Sequence, residues 1–329
     1  MLFKNRILRL QLSLVKYFRR MEHALWQDAS RPEHHHFMSQ LPDTRSAQDI
    51  LHKGLTEQED FLLLRFGLYE YHLCLQFLEK ANGLRQAYSK DLLYHLPLDT
   101  GIFGPTDNSY DIYAKNIISS LDQVDVLSYW TNIPPPFLFS RFYSRNIRYI
   151  NVKDLYPYPF WHKQSLPTWQ SWLTGKRVLV ISSFADTVRK QYERRNKIWR
   201  QTSILPLFTL ITYQAVQTNG GNTAENFLSW QDALWHMIDQ ISQIHFDIAL
   251  ISCGGYGMPL ALELHRLGKR AVQWGGCYQL WFGIMGGRWD RDPNITPYFN
   301  PSWTYPSPSE TPPLSKLVDN ASYWKPEAS

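Results

Sequence analysis

The sequence predicts an α/β fold, a mainly parallel sheet with helices on both faces. Three observations carry that expectation. Short apolar runs of strand length alternate with amphipathic helical stretches from Gln48 onward. Several of those runs end at glycine or serine turns that open directly into a helix. The composition, 44% apolar and 19% charged over 329 residues, is that of a globular chain with a large core.

The first unit is Asp60-Phe-Leu-Leu-Leu-Arg-Phe-Gly67, a short buried strand and a glycine turn running into a helix over Leu68 to Asn82. A helix from about Asp107 to Leu121, a strand near Val124 to Tyr129, the Pro134-Pro135-Pro136 break and a strand near Arg148 to Val152 follow. Tyr156 to Trp172, rich in proline and aromatic residues, reads as the connection to the second half. There, Gly175 to Ser183 is a strand followed by a helix through Thr187, Gln191, Tyr192 and Arg195. Thr209 to Tyr213 is a strand followed by a helix from Ala224 to Ile241. Phe246 to Cys253 leads through Gly254-Gly-Tyr-Gly257 into a helix from Pro259 to Leu267, which Gly268 stops before the strand Arg270 to Trp274. This is a Rossmann-like series of βα units. Ligands in such sheets sit at the carboxyl ends of the strands, so Ser183, Gly254, Gly255, Gly257, Gly275 and Gly276 should gather around one crevice.

Three segments follow from these signals: an arm and linker over 1–45, an α/β half over 46–165, and a Rossmann-like half over 166–329 with an aromatic, proline-rich tail. The arm holds the net positive charge. Met1 to Arg20 contains Lys4, Arg6, Arg9, Lys16, Arg19 and Arg20 and no acid, while Phe3, Ile7, Leu10, Leu14, Tyr17 and Met21 fall on one helical stripe. Such a helix could lie on an anionic membrane surface; packing on its own domain or self-association into a homo-oligomer is the alternative. Asp28 to Asp49, with its His34-His35-His36 run, reads as a solvated linker, since adjacent histidines diverge too much to preform a metal site.

Cys74, Cys253 and Cys277 lack paired or CxxC spacing, which points to a reducing compartment and a cytoplasmic protein, at most peripheral to the inner face of the membrane. No stretch reaches the roughly 18 apolar residues of a membrane span, and no signal peptide is apparent. Nucleic acid is not an expected partner, because no basic, aromatic-interleaved surface occurs outside the arm. Aromatic residues make up 15% of the chain, which serves either bulky packing or stacking surfaces.

Small residues in Cys-Gly-Gly-Tyr-Gly257 would let backbone approach a phosphate at the start of the following helix. The dinucleotide fingerprint is incomplete, however: its third glycine falls on Leu260, and the next strand ends near Gln273 and Trp274 without a ribose-binding acid. A tight turn without ligand is the other reading. Gly275 to Trp289 then combines five glycines with Gln279, Arg288 and Trp289, a set of backbone donors, a guanidinium and an indole face suited to a nucleoside diphosphate and a sugar.

The motifs Arg65-Phe-Gly-Leu-Tyr-Glu70, Gly175-Lys-Arg-Val-Leu-Val-Ile with Thr187 and Gln191-Tyr192, Phe246 through Gly257, and Gly276 through Trp289 resemble a bacterial family of GT-D-type glycosyltransferases associated with surface-polysaccharide gene clusters. The resemblance covers roughly Leu62 to Trp324. It implies a GT-D-like fold with a nucleotide-sugar site and an Arg-x-Gly-Asp-x-Glu motif whose acids serve a divalent cation such as manganese, or the donor. Arg65, Gly67 and Glu70 match that motif, but Leu68 stands at the aspartate position, and one carboxylate is a weak holder of a hard cation.

The expected activity is therefore transfer of a sugar from a nucleoside-diphosphate donor to a glycan or lipid-linked acceptor. Arg65, Gly67, Arg288, Gln279 and the glycine loops would bind the donor. Glu70 would be the general base or, alternatively, a metal ligand or an ordinary helix N-terminal acid. Trp281, Phe282 and Trp289 would exclude water. A noncatalytic nucleotide- or glycan-binding partner, and a cofactor-dependent transferase or oxidoreductase using the same crevice, are the competing readings.

Overall fold

The computed structural model describes residues 39, 41–129, 147–157, 168–199, 203–222 and 226–326. The basic arm Met1 to Arg20, the histidine run and the Pro134-Pro135-Pro136 break lie outside these residues. Among the described residues seven strands form one sheet: β1 Leu62–Arg65, β2 Val126–Tyr129, β3 Arg148–Asn151, β4 Arg177–Ser182, β5 Thr209–Gln214, β6 Ile248–Ser252 and β7 Arg270–Gln273. Their order is β3-β2-β1-β7-β6-β4-β5, and every pairing is parallel. The halves read from the sequence contribute β1–β3 and β4–β7, which meet where Leu62 pairs with Ala271 and Leu63 with Val272.

Seven α-helices of six or more residues accompany these strands among the described residues: α1 Thr44–Glu57, α2 Leu68–Ala81, α3 Lys90–His95, α4 Asp107–Ser119, α5 Ala185–Glu193, α6 Trp230–Ser242 and α7 Gly257–Arg266. None of the helices among the described residues is long and apolar enough to cross a membrane.

The near-continuous apolar strands are explained by burial on both faces. Alternate residues point to opposite cores. Leu62, Leu64, Leu179, Ile181, Ala249 and Ile251 join α2, α4, α6 and α7 in one, whereas Leu63, Val178, Val180, Ile248, Leu250 and Val272 join α1 and α5 in the other. Much of the second core comes from short helical turns and loops rather than from long helices. Trp169, Trp199, Trp274, Trp281, Trp289, Trp303 and Trp324 fill it, so packing accounts for most of the described tryptophans.

Two boundaries differ from the sequence reading. The linker read to Asp49 gives way to α1 at Thr44, because the Asp43 side chain accepts from the Ser46 amide and Ala47, Leu51 and Leu55 then recur every four residues on a buried face. Helix α6 starts at Trp230 rather than Ala224, since the Ser229 hydroxyl caps it by accepting from the Asp232 amide.

Candidate functional site

Outgoing chain leaves β4, β6, β7 and β1, which are neighbours in that order, toward alternate faces: α5 in the tryptophan-rich core, α7 in the helical one, the segment after Trp274 in the first again, and α2 in the helical one. Connections that diverge to opposite faces leave the carboxyl ends of adjacent strands uncovered. A cleft of about 390 Å³ lies there, lined by the ends of all four strands, by α2, by the segment His95 to Thr100 and by the C-terminal residues Leu317 to Trp324.

Arg65 ends β1, and its backbone amide donates to Gln273 Oε1 at 2.8 Å across the β1–β7 seam. Its guanidinium passes over Gly275, whose φ of +58° and lack of a side chain are both required there: a Cβ would collide with Arg65 Nη1. Gly67 plays the matching part for Glu70. Glu70 is the third residue of α2 and turns its carboxylate back over Gly67 and toward its own amide, in the space a Cβ at Gly67 would take. Burial pushes the Glu70 carboxyl up, while its own amide and the Arg65 charge oppose that rise. The Arg-x-Gly-x-x-Glu spacing is thus a packing solution at one strand-to-helix turn.

Arg288 approaches from the other side of the same dipeptide. A Cβ on Gly276 would lie 2.7 Å from the Tyr323 ring and 3.5 Å from Arg288 Nη1. The Arg288 guanidinium stacks 4.9 Å from the Tyr323 ring centroid and donates to Asp319 Oδ2. Asp319 and Ala321 both hold positive φ, 45° and 58°, in the stretch that brings this carboxylate over the cleft.

Of the residues singled out from the sequence, Arg65, Gly67, Glu70, Ser183, Gly254, Gly275, Gly276 and Arg288 line the cleft. Gly255, Gly257 and Gln279 do not. Gly255 faces Ile102, and its carbonyl accepts from the Tyr113 hydroxyl. Gly257 faces inward because a Cβ would come within 2.9 Å of Gln273 Nε2, the amide that fastens Arg65. Gln279 is fully buried, donating to the Tyr323 carbonyl at 2.9 Å and accepting from Trp289 Nε1 at 3.2 Å. Trp281, Phe282 and Trp289 are core residues; Trp281 Nε1 donates to the Leu155 carbonyl. The aromatic water-excluding loop therefore lies beneath the cleft and supports it.

Ser183 lines the cleft beside the start of α5, but that helix start is already filled. Glu310, 4% exposed, accepts from the amides of Asp186 and Thr187 at 3.0 and 3.1 Å, from the Thr187 hydroxyl, and from Ser307. A carboxylate from the tail stands where a bound anion would otherwise sit.

The structure also brings in residues that the sequence reading passed over. Leu96–Thr100 forms a π-helical turn after α3. His95 Nδ1 lies 2.6 Å from Asp99 Oδ2, the imidazole stacks on the Tyr69 ring at 4.7 Å with an interplanar angle of 7°, and the Asp319 amide donates to Asp99 Oδ1 at 3.2 Å. Burial, then the negative charges of Asp99, Asp91 and Asp319, push the Tyr69 phenol up to about 12. The four-residue spacing of His95 and Asp99 was the available signal.

Manganese ligation needs several oxygen donors converging on one point. Among the described residues no three His, Cys, Asp or Glu side chains are grouped to hold a metal, and Glu70 faces Gly67 and its own amide, so the arrangement does not fit a resident cation. No family model, curated protein or solved structure compared with the chain matches it.

Proposed function

We propose that this protein is a glycosyltransferase that moves a sugar from a nucleoside-diphosphate donor to a hydroxyl of a glycan or lipid-linked acceptor. One observation carries the reading: Arg65 and Arg288 are brought over the consecutive glycines Gly275 and Gly276 at the carboxyl ends of the central strands. Two guanidiniums converging on bare backbone suit a diphosphate, which offers oxygens along its length and gains charge when it leaves. In the transfer the bond from the sugar C1 to the diphosphate oxygen breaks, its electron pair departs with the diphosphate, and the acceptor oxygen forms the new bond to C1 while losing its proton. Arg65 and Arg288 offset the departing charge, and Glu70 holds the Arg65 end of the site by its charge and its packing on Gly67. The motif resemblance to the GT-D-type family supports the same chemistry, as does a basic arm suited to bringing a cytoplasmic enzyme to lipid-linked acceptors at an anionic surface.

The test is thermal stabilisation by UDP-, GDP- and dTDP-sugars against free nucleotides, NADH and S-adenosylmethionine. A donor at a hundred times its Kd adds about 2.7 kcal/mol of stability. Stabilisation by NADH or S-adenosylmethionine alone overturns the proposal. Leu68 in the aspartate position favours one second reading, a nucleotide-sugar binder without turnover; donor binding with no transfer or hydrolysis would establish it.

A further inference from the structure

We propose that His95, oriented by Asp99, is the catalytic base that takes the proton of the acceptor hydroxyl. The inference rests on the transfer reading above and assigns the step that reading leaves without a residue.

A base for this step has to hold a lone pair toward the cleft, reach an acceptor that enters from solvent, and be fixed in orientation. Glu70 meets these needs poorly. It is only 8% exposed, its carboxylate is folded over Gly67, and its charge is engaged with Arg65. His95, stacked on the neighbouring Tyr69, meets them better. Its side chain is 29% exposed, whereas that of Asp99 is 9% exposed, so the imidazole is the accessible member of the pair.

The geometry of the pair follows from the local backbone. Pro97 has no amide proton to offer the helical ladder, and the chain widens there into a π-helical turn, a conformation that is rare and recurs at functional sites. Asp99 thereby comes back beside His95. A carboxylate only accepts, so the 2.6 Å contact places the imidazole proton on Nδ1 and leaves the lone pair on Nε2. Asp99 is itself held from its far side by the Asp319 amide, and the parallel Tyr69 ring fixes the imidazole plane. This is the base-and-orienting-carboxylate arrangement of acyl-transfer triads without their nucleophile.

The charged and titratable groups facing the pair are Asp91, whose Oδ1 is 3.7 Å from Nε2, Tyr94 on the same helix, Tyr69 and Glu70 on α2, and Asp319 from the tail. Most of them are acidic. As the acceptor oxygen bonds to C1, its proton passes to Nε2 and the imidazolium forms next to the Asp99 carboxylate, which stabilises it. The diphosphate carries off the electron pair of the broken bond, and the imidazolium later returns its proton to water.

The experiment uses the full chain and measures release of nucleoside diphosphate from UDP-glucose, GDP-mannose and dTDP-glucose, with water or octyl glucoside as acceptor, across pH. Donor affinity is measured in parallel by calorimetry. His95→Gln should lower turnover about a hundredfold or more with donor affinity within about twofold, and should abolish the acid limb of the pH–rate profile. Asp99→Asn should lower turnover by about tenfold and distort the same limb. Added imidazole should restore part of the activity of His95→Ala, a readout that does not depend on the glutamine variant folding. Undiminished turnover with an unchanged acid limb in a folded His95 variant overturns this assignment alone. A wild-type protein that binds none of the three donors overturns the transferase reading and the base with it.

Discussion

Helices α2 and α5 both start at strand ends that border the cleft, and both have a carboxylate at their first turn. At α2 the acid is Glu70, supplied by the helix itself, buried over Gly67 and lining the cleft beside Arg65. At α5 it is Glu310, supplied from 124 residues away and sealed under the tail. The difference shows where an anion can still be received. Helix starts expose amides that attract negative charge, and in many α/β proteins a phosphate takes them. Here α5 is satisfied within the chain and the glycine loop before α7 is packed on Ile102 and Gln273, so under the proposed function a diphosphate would be met by the guanidiniums held over Gly275 and Gly276.

Removing the internal carboxylate is the strongest way to break this contrast. Glu310→Ala strips an acceptor from three amides and two hydroxyls at once and should cost about 4 kcal/mol in a denaturant titration. If the vacated helix start is an anion site, phosphate or sulfate should recover more stability in the variant than in the wild type. A loss under about 1 kcal/mol would show that Glu310 does not hold the tail.

On the other side of the contrast, Gly275→Ala should cost about 2 kcal/mol through its left-handed backbone alone and should displace the Arg65 guanidinium as well. Donor affinity should therefore fall together with stability. Arg288→Gln is expected to weaken UDP binding by about tenfold to thirtyfold in calorimetry, with a smaller loss of stability, about 1 kcal/mol, from the stacking on Tyr323, since its partner Asp319 is half exposed and stays hydrated. Equal affinity in the two proteins would return anion recognition to the backbone.

A third buried carboxylate gives the mildest test. Asp154 accepts from the Asn151 amide and lies near Thr44; burial outweighs these contacts and lifts its carboxyl to about 7. Its folded-state proton is held more tightly than in the unfolded chain, so stability falls as pH rises from the ordinary carboxylate range through about 7. Between pH 6 and pH 7 the loss is about 1 kcal/mol. Asp154→Asn should flatten that slope, and an unchanged slope would assign it to other groups.

The parallel sheet was legible because strands buried on both faces read as unbroken apolar runs, as in Val178 to Ile181, and because turn glycines such as Gly67 and Gly268 punctuate them. The strand order was not, since nothing local in Leu62 announces Ala271 as its partner. Arg65 and Glu70 could be picked out by their match to a family motif around Gly67, and Arg288 by the dense run of glycines that holds it. The face each glycine presents is a tertiary fact. Gly257 and Gly275 look equivalent in sequence, yet one makes room for the Gln273 amide and the other for a guanidinium. His95 and Asp99 escaped notice because their turn belongs to no regular period, and Asp319 reaches the site only because the tail folds back across it.

The seam between β1 and β7 has a consequence for how the protein is made. Parallel partners so distant along the chain are slow to find one another, because the loop between them must close before any contact rewards it. On the ribosome, β1–β3 can emerge and remain beside one another, with the apolar margin of β1 uncovered, until β7 has been synthesised. The cleft comes later still, since Asp99 waits for Asp319, 220 residues downstream. A nascent chain thus has no complete cleft until Asp319 has left the exit tunnel, and until β7 is made the exposed β1 edge is the surface a chaperone would have to guard.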